Sequence, residues 1–177
     1  MYDKDALKDA VLKSWDIILE GLAKEKNSLK FEKNEWKIES RSKLKSLSLV
    51  IREKEDPSDA VLHLVKYAEY MLPRSNLTAT LTKFLTVIEE LRGKYGNNPE
   101  KLREVVAYVI GYMLWSVDSV CNIFTIAEKN LENELKNMIG LEMSLIGAEP
   151  KTTDEFVSKL MDWNNKVKEN KRGGDRR

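Results

Sequence analysis

Cysteine and histidine are almost absent from this chain of 177 residues, which contains one of each. A single cysteine, Cys121, cannot form an internal disulfide, and this favours a reducing, cytoplasmic setting. His63 has no partner motif around it, so neither a metal site nor a nucleophile–base pair is indicated. No glycine-rich phosphate-binding loop is present. These absences argue against an enzyme and predict that no metal or nucleotide cofactor binds.

Long hydrophobic runs are also lacking. The most apolar run is VVAYVIGYMLWSV, which covers residues 105–117 and is followed by Asp118. It is shorter than the roughly 18 to 20 residues that a membrane-spanning helix needs. The run is apolar on every face, so we expect Val105–Phe124 to be the most buried helix and no membrane to be a partner.

Glycine and proline are few, with eight and four residues, and most of the chain shows helical periodicity. The pattern predicts an all-α protein: a single-domain bundle of six to seven helices over residues 1–168, followed by a disordered polar tail over 169–177. A strong helix start lies at Asp56 and Pro57, and Pro73 ends that helix. The next helix is expected to be capped by Asn76 or Thr78. A long helix is predicted from Pro99 to about Ile139, weakened at Gly111 and at residues 116–119, with Gly140 as its stop.

One segment departs from helical spacing. In SLKFEKNEWKIE, residues 28–39, apolar and polar residues alternate as they do in half-buried strands. A turn at Lys33 and Asn34 would pair Phe31 with Trp36, but it would also place lysine opposite lysine and glutamate opposite glutamate. The segment over residues 29–38 is therefore either a short β-hairpin or a frayed loop.

The formal net charge of +1 conceals an uneven distribution. Residues 24–54 contain ten Lys or Arg and five Glu, whereas residues 128–162 contain eight acidic and four basic residues. A chain polarised in this way can meet a polyanion on one side and other proteins elsewhere. The basic candidates for contact with a nucleic-acid backbone are Arg41, Lys43, Lys45, Arg52, Arg74 and Lys83. The simpler interpretation is a solvated helical face.

A family resemblance adds to this pattern. NLTATLTKFLTVIEEL, after a helix ending YAEYMLPR and before a long apolar helix, resembles the small helical subunit of type III CRISPR effector complexes. That family shows Leu-Thr-Thr-Ser, an apolar–arginine pair and an amphipathic helix. The similarity lies at Leu77, Thr78 and Thr80 and in the helix from Leu81 to Leu91, while Ala79 replaces a threonine. The family's arginine falls on Thr82 or on Lys83, depending on whether one residue is deleted.

The resemblance implies a non-catalytic subunit, present in several copies, that holds a guide–target duplex through contacts with RNA or RNA/DNA phosphates. It also implies that residues 73–80 form an edge facing RNA or a neighbouring subunit, although a Thr78 helix cap explains the same residues. The alternative is a helical protein–protein interaction module, from a mobile element or a regulatory pair, that binds no nucleic acid.

Overall fold

The computed structural model describes residues 3–174 of the chain, and the side chains of residues 3–171. It confirms the predicted all-α class and contains a hairpin, β1 and β2. The helices and strands are α1 Lys4–Glu20, β1 Leu29–Glu32, β2 Glu35–Ile38, α2 Arg41–Val50, α3 Pro57–Met71, α4 Thr78–Tyr95, α5 Pro99–Ile126, α6 Leu131–Leu145 and α7 Pro150–Gly174. Short 3-10 turns occupy Leu22–Lys24 and Leu72–Arg74.

Tertiary contacts divide the chain into two compact units. The first comprises the chain up to Glu25 together with Ser40–Trp115, and the second comprises Lys26–Glu39 together with the chain from Ser116 onward. Helix α5 belongs to both units, since it continues through Trp115 without a break. The single domain expected over residues 1–168 stays a prediction.

The first unit is organised by helix-on-helix packing in which α1 contacts α4, α4 contacts α3 and α3 contacts α2. Asp3 caps α1, because its carboxylate accepts a hydrogen bond of 3.0 Å from the Ala6 amide. Asp56 caps α3 in the same way, with Pro57 in the first turn as the sequence predicted. The core of the unit is aliphatic and aromatic, with Trp15, Ile17, Leu44, Leu64 and Phe84 at most 1% exposed. Burial of this apolar surface is the main contribution to stability.

Gly21 marks the closest approach between α1 and α4. A Cβ atom at Gly21 would lie 2.6 Å from the Ile17 carbonyl oxygen and 2.8 Å from the Thr80 Cα atom. Both are backbone atoms, which cannot move aside as a flexible side chain can. Only glycine therefore allows the end of α1 to rest directly on the start of α4.

The far end of the same helix pair is joined by charged groups. The Asp9 carboxylate accepts hydrogen bonds from the Lys94 ammonium at 2.6 Å and from the Tyr95 hydroxyl at 2.5 Å. The hydrogen bond with Asp9 raises the pKa of Lys94, while burial, followed by the same carboxylate, raises the pKa of Tyr95. Lys13 forms a further ion pair with Glu90. Together these contacts join the first part of α1 to the last part of α4.

In the second unit, residues 29–38 form the hairpin rather than a loop. The pairs are Phe31 with Trp36 and Leu29 with Ile38, as predicted, and Lys33 and Asn34 adopt φ angles of 52° and 63° in the turn. Two consecutive positive φ angles are the requirement of the tight turn that suits strand twist. The opposed like charges are compensated by neighbours, since Lys30 lies 3.5 Å from Glu32 and 3.4 Å from Glu39.

Helix α7 packs on α6 and on β1 to complete the second unit. Trp163 connects these parts: its ring lies edge-on to Phe124 at 5.8 Å, and its indole N–H donates to the Ser28 hydroxyl at 3.3 Å. Lys171 lies over the Phe31 ring, 3.5 Å from the ring centroid. Helix α7 continues to Gly174, beyond the predicted boundary at residue 168, and residues 175–177 of the predicted tail lie outside the described residues.

The long helix predicted from Pro99 to Ile139 is wrong in its boundaries. It ends at Ile126, and α6 begins at Leu131 after Asn130, with Glu132 and Glu134 in its first turn. Those acidic residues favour a helix start because they interact with its dipole. Gly140 lies inside α6, and the stop occurs at Gly147, whose φ of 69° suits a glycine C-cap.

Replacement of Gly21 by alanine is expected to destabilise the protein by about 1–3 kcal/mol, because the new methyl group overlaps two backbone atoms. The matched control is Gly93→Ala in α4, where an added Cβ meets no atom within 4 Å. That variant should be stabilised by about 0.5–1 kcal/mol through helix propensity. Urea unfolding measures both. Equal stability of Gly21→Ala and wild type would contradict the close approach of α1 and α4.

Replacement of Asp9 by asparagine is expected to lower the free energy of unfolding by about 1–2 kcal/mol at neutral pH, because two hydrogen bonds to the carboxylate are weakened. The effect is no larger because Lys94 is exposed and its charge is partly screened by water. Because the pKa values of Lys94 and Tyr95 are raised in the folded protein, the protonated groups stabilise the fold at pH values below their ordinary pKa values of 10.5 and 10.0. This stabilisation is lost as pH rises further, so the difference between wild type and variant should narrow in alkali.

Urea unfolding from neutral pH to about 11 measures this change. The control is Glu132→Gln, which removes an exposed helix pair with Lys136 at 3.1 Å and a negative charge at the start of α6, and which should cost less than about 1 kcal/mol. A difference between wild type and Asp9→Asn that persists unchanged in alkali would contradict the assigned pairing.

Candidate nucleic-acid interface

Helix α2 carries three basic residues and no acidic one. Arg41 and Lys45 are four residues apart, and Arg52 lies seven residues after Lys45, just beyond the helix end. At 100° per residue, these three side chains fall on one side of the helical path. We call Arg41, Lys45 and Arg52 the α2 basic face. Lys43 is two positions from Arg41, about 200° around the axis, and does not belong to it.

The buried side of α2 orients this face. Leu44, Leu47 and Ile51 are 0–2% exposed and hold the helix on the core of the first unit. The Ser46 hydroxyl lies 2.8 Å from the Tyr67 hydroxyl of α3, so the side that carries Ser46 turns toward α3. The α2 basic face lies about 100° around the helix from these buried residues and about 120° from Ser46. Lys45 and Arg52 are exposed, while Arg41 is half-buried.

The segment after α2 is held by Arg103 of α5, which donates to the Glu55 carbonyl at 2.9 Å. Nearby, the Nε2 atom of His63 lies 2.8 Å from Glu53 Oε2. This contact occupies one of the carboxylates closest in sequence to Arg52. These contacts hold the segment that follows Arg52, at the end of the α2 basic face, in place within the first unit.

The structure does not bring all six predicted residues together. Arg74 lies in the 3-10 turn after α3, where its guanidinium stacks 4.2 Å from the Tyr70 ring centroid and donates to the Tyr70 carbonyl. Lys83 shares a face of α4 with Glu90 and Lys94, seven and eleven residues later, and both of those pair with α1. Lys83 therefore lies on the α1 side of α4, whereas α2 is reached through α3.

The threonine-rich start of α4 has a structural explanation. Thr80 is 1% exposed, and both its amide, at 2.7 Å, and its hydroxyl, at 3.1 Å, donate to the Glu25 carboxylate. Leu77 occupies the N-cap position without a side-chain bond, so the expected caps Asn76 and Thr78 were wrong. Glu25 supplies the missing acceptor from 55 residues earlier. No local sequence signal identifies so distant a cap.

Helix α5 is less uniformly buried than its composition predicted. Val105, Val109, Met113 and Val117 are at most 1% exposed, but Tyr108 is 40% and Trp115 71% exposed. Tyr112 stacks on Tyr108 at 5.8 Å and contacts Trp115 at 6.5 Å. We call Tyr108, Tyr112 and Trp115 the aromatic face. By length and composition alone α5 is long and apolar enough to cross a membrane, as are the core helices of some soluble proteins. The absence of a membrane partner stays a prediction.

Two residues carry side chains that enzymes often use as a base or a nucleophile: His63, which contacts Glu53, and Cys121. Cys121 is buried, and burial together with the Asp118 charge raises its pKa to about 12. A thiol so protonated is a poor nucleophile and a poor metal ligand. Among the described residues, no group of three or more histidine, cysteine or carboxylate side chains could hold a metal ion. No family model, curated protein or solved structure matches the chain.

Proposed function

We propose that this protein is a non-catalytic small subunit of an RNA-guided complex of the type III CRISPR kind, acting in the cytoplasm. It contacts RNA or an RNA/DNA duplex through phosphates and contacts neighbouring subunits, including copies of itself, through other surfaces. The observation that carries the proposal is the α2 basic face, on which Arg41 and Lys45 lie one turn apart and Arg52 lies two turns after Lys45, with no carboxylate between them in the sequence.

Phosphate contacts need positive charge at a suitable spacing and no base-reading geometry. Arg41 and Lys45 are about 6 Å apart along the helix axis, at the rise of 1.5 Å per residue. Arginine suits this role because its planar fork donates two parallel hydrogen bonds to phosphate oxygens. Binding of this type is independent of sequence and falls steeply with salt.

The resemblance over Leu77–Leu91 supports the assignment to this class of subunit, although Thr80 is occupied by Glu25. In the proposal, the start of α4 has a structural role, since its bonds with Glu25 hold α4 in place. Helix α2 makes most of the contact with nucleic acid. Arg74 and Lys83 stay predicted contacts outside the α2 basic face, and single alanine variants of each belong in the same binding measurement.

The second candidate is a protein–protein interaction module without nucleic-acid binding. The aromatic face favours it, because Trp115 is 71% exposed and interfaces are enriched in tryptophan and tyrosine. The two functions differ in what they require of α2. Nucleic-acid binding requires its cationic face, whereas a protein–protein interaction module does not.

The test is binding to a fluorescent single-stranded RNA of about 40 nucleotides, long enough for several copies to bind side by side. The Arg41→Ala, Lys45→Ala, Arg52→Ala triple variant is expected to bind at least about tenfold more weakly at low salt. Its slope of log affinity against log salt should fall by about 2, at about 0.7 for each phosphate that the variant no longer neutralises.

Lys43→Ala is the matched control, since it removes the same charge from the same helix on another side. It should bind within about twofold of wild type if only the α2 basic face contacts phosphate. Equal binding by a folded triple variant and wild type would contradict the proposal and leave the interaction module as the better function. Equal weakening in Lys43→Ala and in the single variants Arg41→Ala, Lys45→Ala and Arg52→Ala would show general charge attraction without a defined face.

A further inference from the structure

A groove of about 510 Å³ lies between α3 and α4. The groove follows α3 from Pro57 to Glu69 and is closed at one end by Pro99 and Leu102 of α5. All of these residues belong to the first unit. At 1.5 Å per residue the groove is about 18 Å long, the length of three helical turns. We call it the α3–α4 groove.

The floor and walls of the groove are apolar. Ile88 and Leu102 form the floor and are 5% and 7% exposed, while Val61, Val65 and Leu85 are half-buried. Leu62 stands at the edge with 58% of its surface exposed. A leucine exposed to this extent beside half-buried valines makes a continuous apolar strip that the first unit leaves uncovered.

The rim is charged and mainly acidic. Glu69 and Glu89 lie on it together with Arg92. Glu69 has only an exposed partner, Lys66 at 3.7 Å, and such pairs contribute little. Within the described part of the chain, Glu89 has no ion pair. An apolar strip bordered by available carboxylates is complementary to an apolar stripe bordered by cations.

We propose that the α3–α4 groove binds an amphipathic, basic helix of a partner protein. Leucine-type residues at three- and four-residue spacing would cover Leu62, Val65 and Leu85, and lysine or arginine beside them would pair with Glu69 and Glu89. A partner helix of about 12 residues matches the length of the groove. The proposal is independent of the nucleic-acid function, since no residue of the α2 basic face lines this groove.

The probe is a fluorescein-labelled helical peptide of about 14 residues with leucine along one stripe and lysine on both sides of it. Its partner peptide has the same leucine positions, with glutamate in place of every lysine. Fluorescence anisotropy with the full-length protein should show saturable binding of the lysine peptide and binding at least about tenfold weaker for the glutamate peptide.

Two surface variants locate the binding. Leu62→Lys should weaken binding of the lysine peptide about tenfold or more, by placing a cation on the apolar strip. Leu49→Lys is the matched control, because Leu49 is 56% exposed on α2, outside the groove. It should bind the peptide within about twofold of wild type, since charge added elsewhere acts only through screened attraction. Both positions are exposed, so both variants are expected to fold.

A third variant tests the charge of the rim. The double change Glu69→Lys, Glu89→Lys should reverse the preference, so that the glutamate peptide binds more tightly than the lysine peptide. Equal affinities of wild type for the two peptides, or equal weakening in Leu62→Lys and Leu49→Lys, would overturn the proposal. So would the absence of saturable binding up to about 1 mM, the range of the weakest specific associations.

Discussion

The contact between the end of α1 and the start of α4 is the constraint on which the first unit depends. Gly21 lets the two backbones approach, and four residues later Glu25 accepts hydrogen bonds from the amide and hydroxyl of Thr80. The carboxylate also meets the positive end of the α4 dipole, so a long-range contact does what a local cap does elsewhere. A buried threonine with both donors satisfied is stable, whereas either donor left unpaired would be costly.

This junction fixes where the other surfaces lie. Once α4 is set against α1, the pairs Asp9 with Lys94 and Lys13 with Glu90 align the two helices along their length. Helix α3 then packs on α4 and α2 packs on α3, so that α3 lies between the α2 basic face and the helix that carries Lys83. The charge of the chain is therefore distributed over several surfaces, although it is concentrated in a few stretches of the sequence.

Much of the fold was predictable because its signals are local. Pro57 after Asp56, the periodic apolar residues of α1 and the alternation through Phe31 and Trp36 each depend on neighbours in the sequence. The errors occurred where distant groups decide the outcome. The α4 cap, for example, comes from Glu25, 55 residues earlier. The exposure of Trp115 also depends on which helices cover α5, which composition does not reveal.

The candidate site was only partly predictable for the same reason. Helical spacing alone separates Lys43 from Arg41 and Lys45, so the α2 basic face was within reach of the sequence. The position of Lys83 was not, since it depends on the packing of α4 along α1, and Arg74 is held in its own turn by Tyr70, four residues earlier. The α3–α4 groove could not be predicted from the sequence of either helix, because Val61, Val65 and Leu85 have the spacing of ordinary core residues.

The most direct test of the Glu25 junction is native-state hydrogen exchange at the Thr80 amide. Glu25→Ala should lose protection there and at neighbouring amides of α4, and lower global stability by about 1–3 kcal/mol. Glu25→Gln keeps an acceptor oxygen and should retain most of the protection. Unchanged protection of the Thr80 amide in Glu25→Ala would contradict the structural role of this carboxylate and reopen the threonine-rich helix start as a ligand-facing edge.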